Sequence, residues 1–376
     1  MITAGRPDDL TLANWDLGGS VSAWSYRHAD QLFWTQPLTP GLPSIEDDHG
    51  PRTAIPDTLG DQLSSGLVSA ITIRAGGRTV FRWPDEPTGR HLLMSVSKIF
   101  ASVAIGLLAD RGDLEYDRSV RDYLPELGVQ WQPCQVRHVL DMTSGVECAE
   151  VGDPGAYLDP DHPFYRFEAS LGWRPAVVAT SPYDLVRSYR RSGVPGTRYA
   201  YTSVNTFLLA WMIERVTGLD YPRALQTLIW EELALGQDAA ICVSSSGTAV
   251  AHGGLMMTVD DLARFGTLFI PSTPQPAHSL IIPDSYLTML REPRNELVAD
   301  TVRWPEGAHP AGQWNLIHAD GDLFKSGFGG QGLYVSPANE VVIAFTGIPD
   351  SQGHTNRLAS SCRSVAQAIG RQDDSF

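Results

Sequence analysis

Ser95-Val96-Ser97-Lys98 places a lysine three residues after a serine at the head of a long apolar run, within the stretch HLLMSVSKIF, His91 to Phe100. A serine hydroxyl is a weak nucleophile until a base takes its proton, and a lysine that burial keeps neutral can be that base. Residues three apart share one face of a helix, so the Lys98 ammonium can reach the Ser95 hydroxyl. The chain has 28 lysines plus arginines, yet only Lys98 and Lys325 are lysines. A bias toward arginine explains the scarcity but not the positions of the two survivors. Arginine stays charged at any accessible pH, so a site needing a proton acceptor would refuse the exchange. Lys325 opens Lys325-Ser326-Gly327, directly before a strand with apolar alternation. From the residues alone, a catalytic role and a structural strand-end role are both open to it.

The surrounding patterns say what must position these groups. SKIFASVAIGLLADRGD, Ser97 to Asp113, predicts a buried helix with Gly112 as the glycine just past its end. LVSAITIRAGGRTVFRW, Leu67 to Trp83, alternates on either side of Ala75-Gly76-Gly77 and predicts a β-hairpin. Helical patterns follow in VRHVLDMTSG, SPYDLVRSYRRSG and NTFLLAWMIERVTGL, with an aromatic, proline-rich loop from Asp153 to Trp173 between them. Strand patterns return in GQGLYVSP and NEVVIAFTG, before a closing helix in NRLASSCRSVAQAIG. Strands near both ends with helices between them predict an α/β (α+β) architecture. Residues 1–115 and 241–376 would form a domain with an antiparallel sheet flanked by helices, and 116–240 a mainly helical inserted domain. The first sixty or so residues, rich in Pro, Gly and Asp, read as an irregular N-terminal wrap.

Composition narrows the partners. A formal net charge of −15 and no basic patch argue against nucleic acid. No stretch approaches the roughly 18 apolar residues of a membrane span, and the N-terminal residues lack the n-region and h-region of a secretory signal, so a cytoplasmic location is expected. Cys134, Cys148, Cys242 and Cys362 are scattered, which predicts buried free thiols rather than disulfides or a metal site. No cofactor or metal is expected. Oligomeric state is open, a homodimer included.

Together, S-x-x-K on a helix, a second motif containing tyrosine and a K-[TS]-G third motif resemble the penicillin-recognising serine hydrolases: β-lactamases, DD-peptidases and related carboxylesterases. HLLMSVSK, VLDMTSG, YTSVNTFLLAWMIERVTGLDY and HGGLMMTVDDLARFG are most similar to the 6-aminohexanoate-dimer hydrolase (nylon-oligomer hydrolase) and family VIII carboxylesterase branch, from about Leu67 onward. The resemblance implies a β-lactamase/DD-peptidase-like fold and a small amide or ester substrate. It makes Ser95 the nucleophile, Lys98 its general base and Tyr201 the group that passes a proton to the leaving atom. It places the backbone N–H groups of Ser95 and Phe328 in an oxyanion hole, with Lys325, Ser326 and Gly327 as the third motif. Ser203 and Asn205 are both candidates for contact with the lysine or the substrate, and His252 for a hydrogen bond from the pocket wall. Asp161, His162, Tyr165 and Glu168 could recognise a charged substrate end, but a solvated loop is the better-supported reading of them; the wall near Trp314 could shape the pocket.

Rival chemistries have less support. The chain has no G-x-S-x-G elbow of an α/β-hydrolase and no H-E-x-x-H. Two alternatives share the fold: acyl transfer from the same acyl-enzyme, and a catalytically silent binding module whose Ser95 would be unreactive.

Overall fold

Among the described residues, the strands in chain order are β1 Trp34–Leu38, β2 Val68–Ala75, β3 Arg78–Trp83, β4 His91–Leu92, β5 Arg198–Tyr199, β6 Ala239–Val243 and β7 Leu255–Met257. They continue with β8 Val298–Ala299, β9 His309–Ala311, β10 Trp314–Ile317, β11 Leu323–Gly327, β12 Gln331–Ser336 and β13 Val341–Gly347. A seven-stranded sheet runs β3-β2-β13-β12-β11-β10-β9, a four-stranded one β1-β6-β7-β4, and β5 pairs with β8. Every pairing in the two larger sheets is antiparallel. The computed structural model describes residues 5–44, 50, 57–148, 150–176, 180–273, 279–294 and 297–373.

The expected hairpin is β2 and β3, turned by Gly76 and Gly77 at φ 53° and 79°. Such positive φ values suit the two-residue turn that matches strand twist. β13 is buried along its whole length because helices cover both sheet faces. Ile71, Ile73, Ile343 and Phe345 cluster with Cys362, Val365, Ala366 and Ile369 of the helix Leu358–Asp373. Successive strand side chains point to opposite faces, so Thr72 turns the other way, and its hydroxyl donates to Asp260 Oδ1 at 2.5 Å on the helix Val259–Thr267.

The predicted apolar helix runs Lys98–Asp110 and is buried from Lys98 to Leu108. It packs against the helices Ser203–Thr217, Tyr221–Leu228 and Asp284–Arg291. Gly106 permits the last of these approaches, because a Cβ there would lie 2.6 Å from Cδ2 of Tyr286, whose hydroxyl is bonded to Ser102 Oγ at 2.8 Å. Gly106→Ala should therefore cost about 1–3 kcal/mol by overpacking, read as a lowered thermal midpoint. An unchanged midpoint would contradict the tight contact.

The N-terminal segment departs from the expected irregular wrap. It contains the helix Gly19–Ser25, and β1 pairs with β6 from Trp34↔Val243 to Leu38↔Ala239. Trp15 is core: its ring meets Trp173 at 5.0 Å and its Nε1 donates to the Trp173 carbonyl at 3.0 Å. Alternation is weak in a short strand with one exposed face, which is why the sequence pattern does not show it. Among the described residues, no helix is long and apolar enough to cross a membrane.

Candidate active site

Four pieces of chain meet around Lys98. A 3₁₀ turn, Met94–Ser97, precedes the helix Lys98–Asp110, so Ser95 and Lys98 stand three apart where that geometry eclipses side chains. Lys98 Nζ donates to Ser95 Oγ at 3.0 Å, to Ser203 Oγ at 2.9 Å and to the His252 carbonyl at 2.9 Å. These three acceptors match the three donors of an ammonium. Met94, just before Ser95, has φ 50°, a left-handed conformation costly for a side chain of its kind. Ser97 is not a rival nucleophile: it is buried, and its hydroxyl accepts the Leu255 N–H at 3.1 Å.

Burial pushes the Lys98 pKa down to about 8, against the pull of the Glu150 and Glu168 carboxylates. A lysine near that value is partly neutral at working pH and can take a proton from Ser95. Lys325, fully buried on β11, donates to Tyr201 Oη at 3.2 Å. Its pKa is well below the usual lysine value, through burial and then the charge of Lys98. Lys98 and Lys325 lie 5.2 and 4.8 Å from the Tyr201 ring centroid. Burial, then Glu150, hold the Tyr201 phenol well above its ordinary pKa, while a hydrogen bond with Ser95 acts the other way. The phenol therefore keeps its proton and can deliver it.

Other sequence candidates separate into those at the cleft and those away from it. Ser95, Ser203, His252 and Phe328 line it together with Asp16, Glu150, Tyr157, Glu168 and Trp173. Ser203 opens the helix Ser203–Thr217 after the Thr202 cap. Asn205, in the first turn of that helix, is buried elsewhere: it accepts from Ser144 Oγ at 2.6 Å and reaches Met142 Sδ at 3.4 Å. Of the Ser203–Asn205 pair, Ser203 is thus the one that touches the lysine. Ser326 binds Asn315 Oδ1 through its N–H at 3.0 Å and its hydroxyl at 3.1 Å, which fixes β11 behind Phe328. Gly327 admits no side chain, since a Cβ would sit 2.6 Å from the Leu93 carbonyl oxygen. Trp314 packs edge-on against Phe269 at 5.2 Å, and Asp161 and Tyr165 line a separate groove. His162 caps the helix Pro163–Ser170 by accepting the Phe164 N–H.

The main residues that sequence reasoning missed are Asp16, Glu150 and Arg174, the last of them the partner of Glu168. Asp16 and Glu168 share Arg174, with contacts of 2.7 and 2.5 Å to Asp16 and 2.8 Å to Glu168, all buried. Although burial opposes it, those two carboxylates hold the guanidinium firmly charged. The His252 ring lies 3.8 Å from Glu168 Oε1, but burial and then Lys98 push its pKa down to about 3, so it is neutral and this is no ion pair. Glu150 accepts the Ser203 N–H at 2.8 Å, and its own N–H reaches the Tyr201 carbonyl at 3.5 Å. It therefore brackets the segment that carries both groups, and its charge suits a helix N-terminus. Among the described residues, no group of three or more His, Cys, Asp or Glu is arranged to hold a metal ion.

A nucleophile, a lowered lysine and a protonated phenol thus converge on the S-x-x-K, Y-x-S and K-S-G positions, and the β-lactamase family pattern matches residues 61–347. The chain belongs to the β-lactamase family. It is 30% identical over 363 residues to the 6-aminohexanoate-dimer hydrolase of Paenarthrobacter ureafaciens, covering 92% of this chain and 90% of that protein. A Bacillus anthracis structure provisionally assigned as a 6-aminohexanoate-dimer hydrolase superposes with a TM-score of 0.80 at 19% identity, over 99% of this chain and 100% of that one. A family VIII carboxylesterase superposes at 0.55 and 15% identity, over 85% and 98% of the two chains. These last two likenesses show the shared fold of antiparallel sheets and helices. As a β-lactamase-family serine hydrolase, the protein has the chemistry of amide and ester cleavage.

Proposed function

We propose that this serine hydrolase cleaves a small linear amide or ester, of the kind named by its 6-aminohexanoate-dimer hydrolase relative, through an acyl-enzyme on Ser95. The observation that carries the reading is Lys98, lowered to about 8 by burial and 3.0 Å from the Ser95 hydroxyl. Lys98 takes the Ser95 proton as Oγ bonds to the substrate carbonyl carbon. The oxyanion forms between the N–H groups of Ser95 and Phe328, an electrostatic device whose loss typically costs ~10²–10³ in rate. Tyr201 gives its proton to the departing nitrogen or oxygen and regains the one that Lys98 took from Ser95. Water then attacks the acyl carbon as Lys98 takes its proton, and Lys98 passes that proton to Ser95 Oγ as the ester bond breaks, which frees Ser95. A cytoplasmic setting belongs to the proposal, supported by four buried free cysteines.

A panel of linear amides, D-amino-acid amides, short-chain esters and a cephalosporin tests it. Turnover of linear amides or esters is expected, and a preference for the cephalosporin would overturn it. Added alcohols or amines separate hydrolysis from acyl transfer, which would appear as a new ester or amide product.

The rate should also follow Lys98. Because the neutral amine is the active form, kcat/KM should climb with pH, its midpoint set by a lysine of pKa about 8. Glu150→Gln keeps an acceptor for the Ser203 N–H but removes the negative charge that raises the lysine. The midpoint should therefore move to lower pH. An unmoved midpoint would show that Glu150 does not set the state of Lys98.

A further inference from the structure

The Ser95 cleft cannot hold a whole substrate. Its free volume is about 30 Å³, whereas one water needs on the order of 10–15 Å³ on this measure and ligand pockets run to ~300–1,000 Å³. A groove of about 470 Å³ adjoins it and shares two lining residues with it, Asp16 and Phe328. Two other cavities, one beside Trp34 and one beside Tyr165, share none. Phe328 stands between the two spaces, its exposed ring stacked on Tyr157 at 5.8 Å and 22°. Phe328 and Asp16 thus form a wall common to the Ser95 cleft and the groove.

The groove's chemistry narrows its occupant. Leu17, Phe345, Pro349 and Ala359 supply apolar wall. Its polar side chains are largely engaged: Asp16 is held by Arg174, Asn356 Nδ2 donates to the Gly330 carbonyl at 2.9 Å, and Gln331 Nε2 donates to the Phe328 and Gly347 carbonyls at 3.1 and 3.0 Å. Among the described residues, no cation lines it to meet an acid, and the one lining carboxylate, Asp16, is already paired with Arg174. We propose that this groove is the subsite for one arm of the substrate, an uncharged aliphatic chain attached to the scissile amide or ester. The inference rests on the hydrolase reading and adds the substrate class that the cleft alone does not specify.

Two ester series on the full-length protein test it: 4-nitrophenyl esters from acetate to octanoate, which lengthen the acyl arm, and acetates of methanol to octanol, which lengthen the leaving arm. In one series kcat/KM should rise about tenfold or more with length. Ala359→Trp and Thr355→Trp, exposed residues on the groove wall outside the catalytic groups, should each cut the long member about tenfold while leaving the shortest ester within about twofold. If short esters turn over but neither series depends on length, or both variants leave long chains untouched, the subsite is wrong and the hydrolase reading stands. If no ester or amide turns over and a fluorophosphonate leaves Ser95 unmodified, the hydrolase reading fails and the subsite falls with it.

Discussion

Lys98→Arg is expected to lower kcat/KM for amides and esters by about 10²–10⁴-fold, the usual worth of a positioned general base, while the fold persists by circular dichroism. The guanidinium cannot give up a proton at any working pH. It would also have to fit a fully buried position where three acceptors converge on one nitrogen. Ser95→Ala sets the floor, and the double variant should fall little below it, because groups acting in one step are not additive. A Lys98→Arg enzyme that keeps more than about a tenth of the native rate would contradict the general-base role.

Arg174→Met should produce the largest loss of stability. The arginine is the shared cation of Asp16 and Glu168, and all three side chains are buried. Removing it leaves two carboxylates uncompensated, at a cost of about 3–5 kcal/mol, or on the order of 5–10 °C in Tm for a chain this size. The sign of the pH dependence follows from burial, which already raises both carboxylate pKa values above their ordinary range. Without the arginine they should rise further. Each group would then be protonated in the folded variant at pH values where the unfolded chain has lost its proton, so the deficit should grow as pH rises and shrink under acid. Thermal melts from acid to neutral pH measure this, and a native-like Tm throughout would show the ion pairs to be dispensable.

What was legible in the sequence followed local rules. The hairpin at Gly76-Gly77, the apolar helix after Ser97 and the strands β12 and β13 all declare themselves by period and turn chemistry. Lys98 and Lys325 are conspicuous because lysine is scarce, and Lys98 also for its short motif spacing, while Tyr201 and Ser203 gain meaning only through family resemblance. Glu150 and the Asp16–Arg174–Glu168 cluster had no such signal. Glu150 meets Ser203 across 53 positions, and Asp16 meets Arg174 across 158, distances over which no local pattern runs. Glu168 is visible as a charged residue of a loop read as solvated, but its partner Arg174 is not, so the pattern does not show the buried ion pair the fold makes there. Between Ser203 and Asn205 the sequence leaves the choice open, and helix geometry turns Asn205 toward Ser144 while Ser203 stands at the lysine.

Covalent labelling of the folded protein tests the central claim, that Ser95 is a nucleophile activated by Lys98. After brief exposure to a fluorophosphonate near neutral pH, peptide mass spectrometry should find one adduct on Ser95 in the native protein, and far slower labelling in Lys98→Arg. An unmodified Ser95 in folded protein, or an adduct on Ser203 or Ser97 in its place, would contradict the account.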